Sequence, residues 1–138
     1  MVEINATYQG QLRSSAQHGP SGSLIETDAP VDNHGRGERF SPTDLLATAL
    51  GTCMMTIMGI FAERHQIDLT GTRVKILKEM TPAPPRRVAK LTVEMTIPLP
   101  THHPQGKAIE NAALTCPVFL SLHPDVEKVV TFRWKDEL

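Results

Sequence analysis

The sequence predicts an α+β domain in which antiparallel sheets wrap a long buried central helix. Three features predict it. The stretch Ser41–Gln66, SPTDLLATALGTCMMTIMGIFAERHQ, opens with helix-start signals and then runs from Leu45 to Ala62, eighteen residues, without a charge. The segments before and after it alternate apolar and polar residues with the period of two that marks half-buried strands. The chain of 138 residues is long enough to close one core, expected as a single domain over residues 1–138. With aromatic residues at 4%, that core must be mostly aliphatic and methionine.

In chain order, Val2 to Arg13 is expected as one strand. Val2, Ile4, Ala6 and Leu12 fall on its apolar face, and Glu3, Asn5, Thr7, Gln9, Gln11 and Arg13 on its polar face. Ser14 to Ser21, with Gly19-Pro20, reads as a polar loop, and Leu24 to Thr27 as a short second strand. Ala29 to Arg39 reads as a second loop, delivering His34, Arg36, Glu38 and Arg39 to the start of the helix. There Ser41 is the cap, Pro42 fits the first helical position, Asp44 completes a capping box, and Phe40 and Leu45 form a hydrophobic staple. Thr48, Thr52 and Thr56 are the helix's only polar stripe, and each hydroxyl can bond back to its own backbone. A helix so nearly apolar all round is a membrane span or the axis of a globular domain. Its length, three threonines and two glycines favour the buried axis.

After a turn at Ile67 to Gly71, Val74, Ile76 and Met80 alternate with charged residues. Leu91, Val93, Met95 and Ile97 do the same beyond the Pro82-Pro84-Pro85 loop, predicting a hairpin. A helix is expected from Pro104 to Thr115, with Ala108, Ala112 and Cys116 on one face, and a short one from Pro117 to Leu122. Val130, Phe132 and Trp134 make a last strand, so the expected order is β-β-α-β-β-α-α-β. The terminal Lys135-Asp136-Glu137-Leu138 spells a retention signal of the secretory lumen, but no secretion signal opens the chain. The match is read as the charged end of a strand, and the protein as cytoplasmic.

A net charge of −1, from 14 basic and 15 acidic residues, with few clustered bases, argues against nucleic acid as a partner. His18, His34, His65, His102, His103 and His123 are scattered with no helical pair, so no metal is expected, nor any other cofactor. The chemistry must come from Cys53 and Cys116, 63 residues apart with no CxxC. Two such thiols in a reducing compartment are inert core residues or a redox pair. By physics alone Cys116 is the better nucleophile, because the helix beginning at Pro117 would lower its pKa. Cys53 lies turns inside its helix, where burial disfavours the thiolate unless a cation arrives from elsewhere.

The run SPTDLLATALGTCMMTIM, the later TCPVFLSLHPDVE, the N-terminal GQLR and the approach GRGERFSP resemble the osmotically inducible protein C / organic hydroperoxide resistance family over nearly the whole chain. The resemblance implies an intertwined homodimer with sites at its interface, and a peroxidase for organic hydroperoxides. It makes Cys53 the peroxidatic thiol and Cys116 the resolving one, with Arg13 as the activating cation and a lipoyl-type dithiol as reductant. Peroxide-reducing members carry a glutamate ten residues before the first cysteine, where it orients the arginine; this chain has Thr43 there, as in a less characterised, SPxxLL-starting branch that it resembles more closely. Asp44 is rotated by about 100° from that position. Glu38 is the candidate partner for Arg13, and otherwise nothing in the sequence evidently holds that arginine. Met54, Met55, Ile57 and Met58 are candidate walls of a pocket for an alkyl peroxide. The alternative is a redox-inactive dimeric ligand-binding or structural protein on the same fold.

Overall fold

A computed structural model describes residues 1–137; Leu138, the last residue of the retention-like tetrapeptide, lies outside the described residues. The chain divides into two compact units, Met1–Leu46 and the residues from Ala47 onward.

In the first unit, three antiparallel strands lie in the order β1-β2-β3: β1 Ile4–Gly10, β2 Arg13–His18 and β3 Leu24–Asp28. The single strand expected from Val2 to Arg13 is therefore a hairpin, and the expected loop from Ser14 onward is mostly its second strand. The alternation runs unbroken through the turn, which hides it. The turn is made by Gly10, Gln11 and Leu12, all at positive φ (83°, 53° and 62°), without the Asn-Gly or Asp-Gly pair that marks such turns in sequence. The apolar face of this sheet is exposed rather than half-buried: Ile4, Tyr8 and Ile25 all stand in solvent.

The segment after β3 folds back on it. Ala29 N–H donates to the Leu12 carbonyl (3.0 Å), Asp28 N–H to that of Phe40 (3.2 Å), and Gly37 N–H to that of Ala29 (3.2 Å). Gly35 passes so close to Ala29 that a Cβ there would overlap the Ala29 carbonyl. A 3-10 turn at Val31–Asn33 lies within this loop. Then α1 begins, spanning Pro42–Arg64. Its capping box is present in both directions: Asp44 N–H donates to Ser41 Oγ (3.1 Å) and Ser41 N–H to Asp44 Oδ2 (2.9 Å). Phe40 stays exposed, so the staple adds little.

The second unit holds the body of α1 and a sheet of β4 Arg73–Met80, β5 Val88–Ile97 and β6 Glu127–Trp134, in the order β4-β5-β6. The β4–β5 hairpin is antiparallel as expected, but β6 pairs with β5 in parallel. A parallel neighbour needs a long crossover. Residues 98–126 supply it, carrying α2 Gly106–Leu114 and α3 Pro117–Ser121. The retention-like residues Lys135–Glu137 form a 3-10 turn rather than a strand end.

The core packs Leu50, Met54 and Met58 of α1 against Leu91, Val93, Met95 and Ile97 of β5, with Ile109, Ala113 and Trp134. In α2 the buried stripe is Gly106, Ile109 and Ala113, one position round from the face expected through Ala108 and Ala112. Helix α1 is buried along one stripe, Ala47, Leu50, Gly51, Met54, Met58 and Ala62, not all round. Gly51 admits β4, since a Cβ there would lie 2.4 Å from Ile76 Cδ1. By length and composition α1 could cross a membrane, and 33% of its most apolar window is buried within the chain. Thr52 and Thr56, on its exposed side, donate to the carbonyls of Thr48 (2.9 Å) and Thr52 (2.8 Å).

Candidate active site

Two constellations hold the residues singled out above. In the second unit, the buried stripe of α2 carries the chain to Cys116, whose N–H donates to the Ala113 carbonyl (3.3 Å). Pro117 then starts α3, and Cys116 becomes its N-cap, with Sγ accepting the Phe119 N–H at 3.2 Å. The thiol is fully buried, whereas Cys53 is half-buried against the same core. The side chains of the two cysteines face each other within interaction range, and both thiols are free.

This arrangement sets the direction in which the Cys116 thiol is shifted. Burial pushes the Cys116 thiol up, the Phe119 N–H pulls against that, and the neighbouring Cys53 adds to the rise. Help from the short α3 therefore loses to desolvation. The expectation that the helix beginning at Pro117 lowers the Cys116 pKa is overturned, because that expectation lacked the burial. Lys128 lies over the Phe119 ring, with Nζ 5.4 Å from its centroid and donating to the Val126 carbonyl (3.0 Å), which fixes the far side of α3. Met54 and Met58 are fully buried core residues and cannot wall an open pocket; Met55 and Ile57 are half-buried.

In the first unit, Arg13 opens β2 directly opposite Asp28 at the end of β3. The guanidinium donates from Nε to Oδ1 (2.7 Å) and from Nη2 to Oδ2 (2.8 Å), a two-pronged pair. Asp28 is only 1% exposed, and its Oδ2 also accepts the Glu38 N–H at 3.2 Å. The Arg13 bonds hold the Asp28 carboxyl below its ordinary value, against the opposing effect of burial, and raise that of Arg13. Glu38 does approach Arg13, at 3.8 Å from Nη2, but from an exposed position. Arg39 pairs with Glu26 (3.7 Å), and Arg36 donates to the Gln11 side chain. The expectation that nothing but Glu38 could hold Arg13 is thus corrected. The missed residue is Asp28, legible only once the hairpin register is known. Thr43 bonds the Ser41 hydroxyl (3.2 Å) at the start of α1. Among the described residues no group of three or more His, Cys, Asp or Glu side chains gathers as a metal site would require.

A fold of two three-stranded sheets and a long helix, with a mid-helix cysteine meeting a Cys-Pro N-cap, defines a thiol-bearing α+β class. The OsmC-like protein family matches residues 35–129 of the chain. The protein belongs to the OsmC-like family, whose known structures include organic hydroperoxide resistance proteins. A Psychrobacter arcticus 273-4 structure, described as an osmotic stress induced and detoxification response protein, is 48% identical, with a TM-score of 0.91 and 96% of each chain covered. An organic hydroperoxide resistance protein OsmC of Legionella pneumophila shares the fold at 14% identity (TM-score 0.76, 96% of each chain). So does an organic hydroperoxide resistance protein of Elizabethkingia anophelis at 17% identity (TM-score 0.77, 98% of this chain and 96% of that one). No curated protein matches the sequence.

Proposed function

We propose that the protein is a thiol-dependent peroxidase that reduces organic hydroperoxides. The observation that carries this reading is the pairing of a half-exposed Cys53 with a buried Cys116 whose thiol is pushed up. Cys53, as thiolate, attacks the distal oxygen of the hydroperoxide. The O–O bond breaks, Cys53 becomes a sulfenic acid, and the alkoxide leaves as alcohol after taking a proton. The Cys116 sulfur then attacks the sulfenic sulfur. The Cys116 proton leaves with the hydroxyl as water, and a Cys53–Cys116 disulfide remains. A small dithiol of the lipoyl type restores both thiols by exchange and is itself oxidised to its disulfide. A resolving thiol that stays protonated until the sulfenic acid forms competes little for peroxide, which suits a division of labour between the two sulfurs.

The reading assigns Arg13 as the cation that favours the Cys53 thiolate, on the family resemblance. It includes a homodimer, supported by the apolar residues each copy leaves in water on the first sheet and on α1, where Leu46 and Ile60 are exposed. It places the protein in the cytoplasm, where free thiols persist. Purified protein supplied with an alkyl hydroperoxide and dihydrolipoamide should consume the peroxide catalytically, and Cys53→Ser should abolish this. Wild-type protein that leaves the peroxide untouched would favour the redox-inactive binding protein instead.

A further inference from the structure

We propose that the outer face of the second sheet carries a binding site for a small-molecule phosphate monoester, held between Arg73 and Arg133. The site lies wholly in the second unit and is independent of the peroxidase reading. Register puts Arg73 of β4 beside Thr96 of β5, and Thr96 beside Arg133 of β6. Residues directly opposite one another on neighbouring strands share a face, so the three side chains form one row across the sheet. Met95 and Ile97, on either side of Thr96, are buried in the core, which turns this row outward. Strand spacing separates the two arginine Cα atoms by about 10 Å. Arg73, Thr96 and Arg133, together with Lys75 and Glu94, line a groove of about 630 Å³. That is the size of a small-molecule site.

Charge sets this row apart from its neighbours on the same face. In the next row, Lys75–Glu94–Thr131, a base stands beside an acid, with Lys75 Nζ 3.9 Å from Glu94 Oε2. At the far end, Glu79–Lys90–Glu127 places a base between two acids. The Arg73–Thr96–Arg133 row has two bases and a neutral threonine between them. Among the described residues, neither arginine side chain nor the Thr96 hydroxyl has a hydrogen-bond or ion-pair partner. Two like charges thus line one groove without a counterion in their own row, and an anion between them turns repulsion into attraction. Each guanidinium offers a planar fork that fits two oxygens of an oxyanion. A tetrahedral phosphate points its oxygens in several directions, so it can take forks from two sides and a hydroxyl from below. A planar carboxylate presents a single edge. A phosphate monoester also carries close to two negative charges at neutral pH, which matches two arginines. The groove is larger than a bare phosphate and leaves room for the organic part of the ester.

The test is an NMR titration of the full chain near neutral pH with glycerol phosphate, a monoester. Dimethyl phosphate, a diester with one charge, and acetate are the comparison ligands. Glycerol phosphate should give saturable shifts at the Nε–H groups of Arg73 and Arg133 and at the Thr96 amide. The other two ligands should bind at least about tenfold more weakly, since each lost charge-assisted bond costs about that factor. Arg73→Gln and Arg133→Gln, both at exposed positions, should each weaken binding by about tenfold while leaving the circular dichroism spectrum unchanged. Thr96→Glu supplies the missing counterion from the chain itself and should abolish binding. Glycerol phosphate should also raise the wild-type Tm, and this rise should vanish in the arginine variants. Shifts that do not saturate, or that spread equally over Lys78, Arg86 and Arg87, would overturn the proposal. So would equal affinity for acetate, or unchanged affinity in either arginine variant. Binding to phosphatidic acid vesicles without binding to glycerol phosphate would overturn the small-molecule assignment in favour of a lipid surface.

Discussion

A buried carboxylate carries a pH signature. The Asp28 carboxyl is held below its ordinary value of 3.8, chiefly by the hydrogen bonds from Arg13. A depressed folded pKa means stabilisation that is complete above the unfolded value and lost as pH falls through the folded one. Wild-type unfolding followed by circular dichroism should therefore lose stability on acidification below pH 3.8, and Asp28→Asn should lose less over the same window. An equally steep acid loss in the variant would show that other carboxylates govern it. The sequence pointed to Arg13 and to both cysteines, but not to Asp28, because an aspartate at a strand end followed by Ala-Pro reads as a turn residue. Physical reasoning on the sequence also lowered the Cys116 pKa, whereas burial raises it. A Cys-Pro N-cap is visible in sequence, whereas the burial that outweighs it depends on the stripe of α2 and is not.

At the scale of elements, legibility followed the strength of local signals. Helix α1 was readable to within two residues because cap, proline and capping box act over four positions and need no tertiary context. The β4–β5 hairpin was readable because its faces alternate and prolines bound the connection. The first hairpin was not, because Gly10-Gln11-Leu12 adopts left-handed backbone without the usual turn residues and the apolar pattern carries on across it. The parallel pairing of β6 with β5 was also out of reach. Strand direction is set by where the α2–α3 crossover returns the chain, and an alternating strand looks the same in either direction.

At the scale of the whole molecule, the expected all-round burial of α1 is not achieved within one chain, since its buried residues form one stripe. A single three-stranded sheet covers only one side of a helix. The exposed Ile4, Tyr8 and Ile25 on one face of the first sheet pose the same problem on a second surface. Sedimentation at micromolar concentration should accordingly report a homodimer, and Ile25→Glu should weaken it. A folded wild-type monomer under those conditions would remove the homodimer from the proposed function.

The pairing of Cys53 with Cys116 is the centre of the account, and intact-mass analysis tests it most directly. Protein treated with one equivalent of an alkyl hydroperoxide should lose its two thiol hydrogens and yield a Cys53–Cys116 cross-linked peptide. Cys116→Ser should stop at a sulfenic acid on Cys53 and over-oxidise with excess peroxide. Unchanged mass, with both thiols still free after prolonged exposure, would contradict it.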